Sequence, residues 1–145
     1  MKLVFQVRIK VQKPVADVFD AVVNPKKLSG YFTASARGPL QEGKKVTWIF
    51  PEFPGEVPVS VRTVVPNQHI SLEWDGAGEG YNTQVDMKFE TVDPSLTSIA
   101  ISESGWRANE KGVESSYRNC GGWMHMLCCL KAFLEYDINL RKGSF

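Results

Sequence analysis

The residues of this chain that could take part in chemistry are few and widely spaced. Only two histidines occur, His69 and His125, and neither has a Ser, Cys or Asp motif beside it. A nucleophile, a general base and an orienting group cannot be assembled from such a pattern. On a helix His125 would lie about 200° from Trp123, so we expect it to point into solvent. The sequence therefore predicts no catalytic residues.

The three cysteines, Cys120, Cys128 and Cys129, lie on a stretch with helical periodicity. Eight residues of helix would separate Cys120 from Cys128 by about 12 Å along the axis, whereas a disulfide needs Cα atoms within about 7 Å. The adjacent pair would point about 100° apart. Metal sites favour Cys-x-x-Cys spacing or nearby histidines, and neither is present. We predict reduced thiols that fill core or flank positions, no metal site and no cofactor.

A glycine-rich segment contains Gly76, Gly78 and Gly80. A phosphate-binding loop would need a strand before it and a helix N-terminus after it, so that backbone N–H groups point at the anion. Here a second strand pattern follows the glycines. The segment is therefore predicted to be a flexible hairpin connection.

Glu103 is the one acid with a position suggestive of a site. Continuing the alternation of Ile99 and Ile101 places its carboxylate on the inner face of a sheet. A buried acid needs a partner or a raised pKa, and such groups often mark binding sites. The favoured interpretation is nevertheless that Glu103 lies at the strand end and reaches water.

Large aromatic and thioether side chains could line a ligand cavity between sheet and helix. A packed core explains the same residues and is slightly favoured, because large side chains fill space whether or not a ligand binds. The candidate ligand-binding residues are Trp48, Phe50, Trp74, Met87, Glu103, Trp123, Met126 and Leu127.

Composition favours one globular domain spanning residues 1–145, with 43% hydrophobic and 23% charged residues. The net charge of +1 comes from interspersed charges, which argues against nucleic-acid and anionic-membrane partners. The sequence contains no run of about 18 apolar residues, so membrane insertion is not predicted. The N-terminus alternates apolar and polar residues, unlike the continuous apolar core of a signal peptide. We expect a cytoplasmic protein.

The first two thirds of the chain predict a sheet. Residues 3–11 alternate apolar and polar side chains, which is typical of a strand with one wet face. Two short helices follow, because Pro14 and Pro25 can each occupy a first helical position and Asn24 can cap the second helix. From there to Ser104, short alternating runs separated by turns predict antiparallel strands.

The last third predicts one long helix over roughly residues 113–140, with a weak point, a bend or a late start, at Gly121-Gly122. Its apolar residues recur at helical spacing and form one stripe, which would cover the sheet. The stripe consists of Trp123, Leu127, Leu130, Leu134 and Ile138.

This order of elements is that of the α+β helix-grip fold of the START and Bet v type, in which a curved antiparallel sheet wraps a long C-terminal helix. Specific segments sharpen the likeness: KPVADVFDAVVNPKKLSGYF, VRTVVPNQHISLEW, SESGW and GWMHMLCCLKAFLE. The chain resembles members of the SRPBCC superfamily that are similar to the C-terminal domain of the heat-shock protein 90 ATPase activator. The resemblance implies an apolar cavity between sheet and helix for a lipid or another small molecule.

Three functions remain open on this fold, because a fold alone does not decide a function. The favoured one is a non-catalytic protein that binds an apolar small molecule or lipid. The alternatives are a cyclase- or aromatase-like enzyme that uses the same cavity and an interaction module that regulates the chaperone. Eukaryotic activators carry a separate N-terminal domain that grips the chaperone, and we expect no room for it here, so a chaperone partner is not favoured.

Overall fold

The computed structural model describes residues 2–145, which form seven strands and three helices. The strands make one curved antiparallel sheet in the order β1-β7-β6-β5-β4-β3-β2. Register shifts between Val61 and Thr63 on β4 and between Thr91 and Asp93 on β6 mark irregularities that bend such strands. The strands are β1 (Phe5–Val11), β2 (Ser35–Arg37), β3 (Lys45–Ile49), β4 (Val57–Val65), β5 (His69–Trp74), β6 (Thr83–Asp93) and β7 (Leu96–Ser104).

Strand β6 buries one face, as its alternation predicts. On β6, Val85, Met87 and Phe89 are buried while Gln84 and Lys88 are exposed. The apolar residues of β1, β6 and β7 belong to the same hydrophobic core. The inner face of the sheet is therefore the covered one.

Helices α1 (Val15–Val23) and α2 (Pro25–Leu28) follow β1. Asn24 ends the first helix and caps the second, because its side chain accepts a hydrogen bond from the backbone N–H of Lys26. Pro25 occupies the first turn of α2, where the missing N–H costs nothing. The predicted corner between two short helices is confirmed.

Helix α3 (Glu110–Tyr136) has 27 residues and a length of about 40 Å. It begins at Glu110 and is continuous through Gly121 and Gly122, so the predicted late start at these glycines is wrong. The helix ends when Asp137 adopts a left-handed conformation with φ 54°. Ile138 consequently lies outside the helix and is 51% exposed, which corrects its assignment to the apolar stripe.

The rest of the stripe packs on the sheet. Leu127 and Leu130 have no exposed surface, and Trp123 is 3% exposed. Two hydrogen bonds attach the C-terminal end of α3 to β1 and to Gln12, which follows β1. Lys131 donates to the Lys10 carbonyl, and Glu135 accepts from the Gln12 N–H. The predicted helix-grip architecture is confirmed. Within residues 2–145, no helix is both long and apolar enough to cross a membrane.

Candidate ligand-binding pocket

Glu103 lies on β7 between Phe5 of β1 and Val85 of β6. Its exposed fraction is 0%, so the expectation that it reaches water at the strand end is wrong. The strand end is covered from two directions, by the loop after β5 and by Asn119 of α3, which donates to both Gly76 and Glu103. The alternation of β7 placed the side chain inward correctly.

Four side chains from three elements donate hydrogen bonds to the Glu103 carboxylate. Its Oε2 accepts from Trp74 Nε1 at 2.9 Å and from the Thr83 hydroxyl at 2.6 Å. Its Oε1 accepts from Trp123 Nε1 at 2.9 Å and from Asn119 Nδ2 at 3.2 Å. A buried carboxylate is tolerated when its lone pairs are matched by donors in this way. The carboxylate thereby joins the indole of β5 to the indole of α3.

Gly76 allows the loop to pass directly over this network. A Cβ atom at this position would collide with Glu103 Oε2, Thr83 Oγ1 and Trp74 Nε1. The Gly76 carbonyl accepts a hydrogen bond from Asn119 Nδ2 at 2.9 Å. Any side chain here would therefore push the loop away from α3.

Asp75 holds the remainder of the loop together. Its carboxylate accepts hydrogen bonds from the backbone N–H groups of Gly78 at 2.8 Å, Glu79 at 3.1 Å and Gly80 at 2.9 Å. The loop joins antiparallel β5 to β6, which confirms the hairpin connection. The amide groups that would cradle a phosphate are thus occupied by the protein's own carboxylate.

A pocket of about 610 Å³ opens beside this network, between α3 and the neighbouring end of the sheet. Trp74 and Trp123, which we term the indole wall, form one side, with ring centroids 5.5 Å apart. Phe32 and Phe50 continue the apolar surface, with centroids 5.1 Å apart. Glu103 lies behind the indole wall and does not line the pocket, so its carboxylate positions the indoles and is not exposed to a ligand.

The face of α3 that lines the pocket is centred on Gly122. Arg118 and Asn119 lie one turn before it and His125 lies one turn after it, and all four line the pocket together with Gly121. A Cβ atom at either glycine would meet nothing within 4 Å. At the centre of the pocket α3 therefore presents only its backbone and leaves space there.

The segment after α3 folds back and forms a further side, the tail wall, which consists of Arg141, Ser144 and Phe145. Arg141 binds Glu52 through two hydrogen bonds, from Nε at 2.8 Å and from Nη2 at 3.0 Å. The two side chains are 9% and 14% exposed. Burial raises the pKa of Glu52, but the hydrogen bonds and charge of Arg141 outweigh it, so the pKa lies below its usual value.

Aromatic contacts also attach the tail wall. The Arg141 guanidinium carbon lies 5.4 Å from the Phe32 ring centroid and 5.0 Å from that of Phe145, distances typical of cation–π contacts. The Phe145 ring meets His125 edge-on at 5.4 Å. His125 is half-buried for this reason, which corrects the expectation that it points into solvent.

All three cysteines are free thiols. Cys129 is buried beneath His125, whose Nδ1 lies 3.6 Å from its Sγ. Burial raises the pKa of the Cys129 thiol to about 11, so it is protonated and weakly nucleophilic at neutral pH. Within residues 2–145, no group of three or more His, Cys, Asp or Glu side chains is arranged to hold a metal ion.

The structure places only some of the candidate residues at the pocket. Phe50, Trp74 and Trp123 line the pocket, and Glu103 lies behind it. Trp48 is 1% exposed and contacts Trp74 at a centroid distance of 5.9 Å without reaching the pocket. The remaining candidates, which are fully buried in the core, are Met87, Met126 and Leu127.

Several pocket residues escaped the sequence interpretation. Asn119 carried a usable signal, because it lies four residues before Trp123 and so on the same helix face. Arg118 carried no such signal, because it lies five residues before Trp123 and about 140° from it around the helix. Arg141 and Phe145 carried no usable signal, because the residues after α3 show no periodicity.

The chain belongs to the family of Activator of Hsp90 ATPase homolog 1-like proteins, whose family model matches residues 12–135. This confirms the family indicated by the sequence segments. No curated protein matches the chain.

Solved structures share the fold over nearly the whole chain. The protein SSP2350 from Staphylococcus saprophyticus is 25% identical with a TM-score of 0.82, and the match covers 96% of both chains. DynU16, a putative protein in the dynemicin biosynthetic locus, is 20% identical with a TM-score of 0.81, over 94% of this chain and 48% of its own. PFC0360w, an HSP90 activator from Plasmodium falciparum, is 19% identical with a TM-score of 0.76, over 92% of this chain and 97% of its own. The latter two likenesses show the fold alone.

Proposed function

We propose that this chain is a non-catalytic binding protein whose pocket holds an apolar small molecule or lipid. The volume of about 610 Å³ falls within the roughly 300–1,000 Å³ typical of small-molecule sites. We also propose a cytoplasmic location, which the three free thiols support because such thiols persist in a reducing compartment.

The observation that carries the proposal is the glycine pair at the pocket. Each glycine inside a helix costs about 1 kcal/mol relative to alanine. Neither Gly121 nor Gly122 has a neighbour within 4 Å of its missing Cβ, so close packing does not explain them. Both line the pocket. Their absent side chains keep space open at a cost in helix stability, which suits a site that must accept a ligand.

The polar groups of the pocket support binding over catalysis. The Asp75 carboxylate is engaged by three backbone N–H groups, and Arg141 is engaged by Glu52. A cyclase-like enzyme would need titratable groups that converge on a substrate and are free to exchange protons. His125 is the one imidazole that lines the pocket within residues 2–145. One such group provides no acid–base pair.

Apolar burial would supply most of the affinity. At about 25 cal/mol per Å², a ligand that buries about 300 Å² of apolar surface gains about 7 kcal/mol before association costs are subtracted. The aromatic rings add preferred edge-on and offset contacts for an aromatic ligand. A gain of about 7 kcal/mol corresponds to a dissociation constant of about 10 μM before those costs, so apolar burial alone predicts weaker binding than this.

Tryptophan fluorescence tests the proposal, because Trp74 and Trp123 are part of the pocket. Titration with fatty acids, flavonoids and polycyclic aromatic probes should change the emission saturably for at least one class. Trp123→Leu should weaken that binding more than it lowers the free energy of unfolding. The absence of a saturable response across the panel would contradict the proposal.

Family membership supports a second candidate, regulation of the Hsp90 ATPase. The family description names such activators, and PFC0360w is described as an HSP90 activator. The test is whether this chain raises the ATPase rate of purified Hsp90. Stimulation that stays the same when a bound ligand fills the pocket would favour this candidate over ligand binding.

A further inference from the structure

The charges around the pocket are unevenly satisfied. Four side chains of its wall are ionisable: Asp75, Arg118, His125 and Arg141. The Asp75 carboxylate is covered by backbone N–H groups, and Arg141 is paired with Glu52. Arg118 makes no ion pair with any carboxylate among residues 2–145. Arg118 is therefore the cation of the wall that is left without an ion-pair partner among the described residues.

Arg118 is placed where a ligand would enter. It is exposed and lies one helical turn before Gly122 on the lining face of α3. Among residues 2–145 its guanidinium group donates one hydrogen bond, of 3.2 Å, to the Ser115 hydroxyl. The guanidinium group has five N–H donors in a planar fork that matches the two oxygens of a carboxylate. Most of these donors remain free for a ligand.

The apolar part of the pocket favours a flat, rigid molecule. Its walls consist largely of aromatic rings, and the indole wall is fixed from behind by Glu103. An aromatic ring system can make edge-on or offset contacts with such rings and loses little conformational entropy on binding, whereas a flexible chain must order several torsions. The pocket is thus better suited to a ring system than to an alkyl chain.

We infer that the ligand is an aromatic acid, with its ring system against the indole wall and its carboxylate on Arg118. The inference rests on the proposed function and specifies the ligand class. Arg118 and Trp123 are five residues apart on α3, or about 7.5 Å along the helix axis. Both side chains line the same pocket, so one ligand can contact both.

Isothermal titration with 1-pyrenebutyric acid and 1-pyrenebutanol tests the inference, since the two probes share one ring system and differ in charge. The acid should bind about fivefold more tightly than the alcohol at low salt, although the alcohol is the more apolar molecule. Arg118→Gln should reduce this ratio to about one. Arg118→Lys, which keeps the charge and loses the fork, should give an intermediate ratio. Both variants change an exposed side chain, so folding is not at risk.

Arg8→Gln is the matched control, because it removes the same charge from an exposed position on β1 outside the pocket. It should leave the ratio unchanged. Equal binding of acid and alcohol by the unmodified protein, or a ratio that Arg8→Gln lowers as much as Arg118→Gln, would overturn the inference while the proposed function stands. Binding of neither probe, nor of any other in the panel, would overturn both.

Discussion

The indole wall and the tail wall bound the same pocket but are built in different ways. Trp74 and Trp123 stand on a strand and a helix and are joined through one buried carboxylate. Arg141 and Phe145 stand on irregular chain after α3, where a single ion pair and ring contacts hold them. Phe145 is 70% exposed, whereas Trp123 is 3% exposed.

This difference indicates which side of the pocket can move. Displacing the indole wall would break hydrogen bonds to Glu103 and disturb the contact between α3 and the sheet. Releasing the tail wall would break the Arg141–Glu52 pair and leave every strand and helix intact. Local opening draws on such weakly held segments. We expect a fixed indole wall and a tail wall that can detach.

The largest expected effect lies in the core beneath the indole wall. Leu127→Ala should lower the free energy of unfolding by about 2–5 kcal/mol, because Leu127 is fully buried and its removal leaves a cavity. Urea denaturation measures this change. A loss below about 1 kcal/mol would mean that α3 is loosely packed at Leu127, one turn after Trp123. The indole wall would then be held no more firmly than the tail wall.

Glu103→Gln should act on the indole wall itself. The amide keeps one oxygen acceptor but turns an NH₂ group toward donors, so at least one buried indole N–H loses its partner, at a cost of about 1–3 kcal/mol. The indole ¹⁵N–¹H resonances of Trp74 and Trp123 should shift, while that of Trp48, which makes no hydrogen bond, should not. Unchanged stability and resonances would show that Glu103 does not hold the wall.

The walls also differ in how far the sequence predicted them. The strands, the Asn24-Pro25 corner and the helical stripe follow from local patterns, and so does the inward direction of Glu103. Its four donors do not, because Trp74, Thr83, Asn119 and Trp123 converge only through the tertiary fold.

The helix end and the tail wall escaped prediction for a further reason. Spacing alone continued the stripe to Ile138, but Asp137 takes a left-handed conformation that usually requires glycine, and the helix stops before it. The position of Arg141 depends on Glu52, which is 89 residues away in the chain. Local sequence carries no signal of such a contact.

Arg141→Met should detach the tail wall with little effect on overall stability. The free energy of unfolding should fall by about 1 kcal/mol or less, because the segment can separate without unfolding the sheet. Amide hydrogen exchange at Ser144 and Phe145 should be faster in this variant than in the unmodified protein. Arg37→Met is the control, since it breaks an exposed ion pair with Glu56 in which the tail takes no part and should not change the exchange rate.

Acid should loosen the tail wall in the same way. The pKa of Glu52 is held below its usual value of 4.5, so its contribution to stability is present above that pH and is lost as the pH falls through the lower folded-state value. The amide resonances of Ser144 and Phe145 should therefore shift below about pH 4.5. Arg141→Met should abolish this transition, and its persistence in the variant would assign it to another group.

Paired substitutions at Gly122 test whether space at the centre of α3 is kept open for a ligand. Gly122→Ala and Gly122→Leu should each raise the free energy of unfolding by up to about 1 kcal/mol. Both residues are better helix formers, and apart from the adjacent helix backbone and chain neighbours no described atom lies within 4 Å of the new Cβ. The pair should then differ in binding: alanine should largely retain affinity for the panel ligand, and leucine should reduce it at least tenfold by filling the pocket. Higher stability with undiminished binding in Gly122→Leu would mean that the space at Gly122 does not receive the ligand.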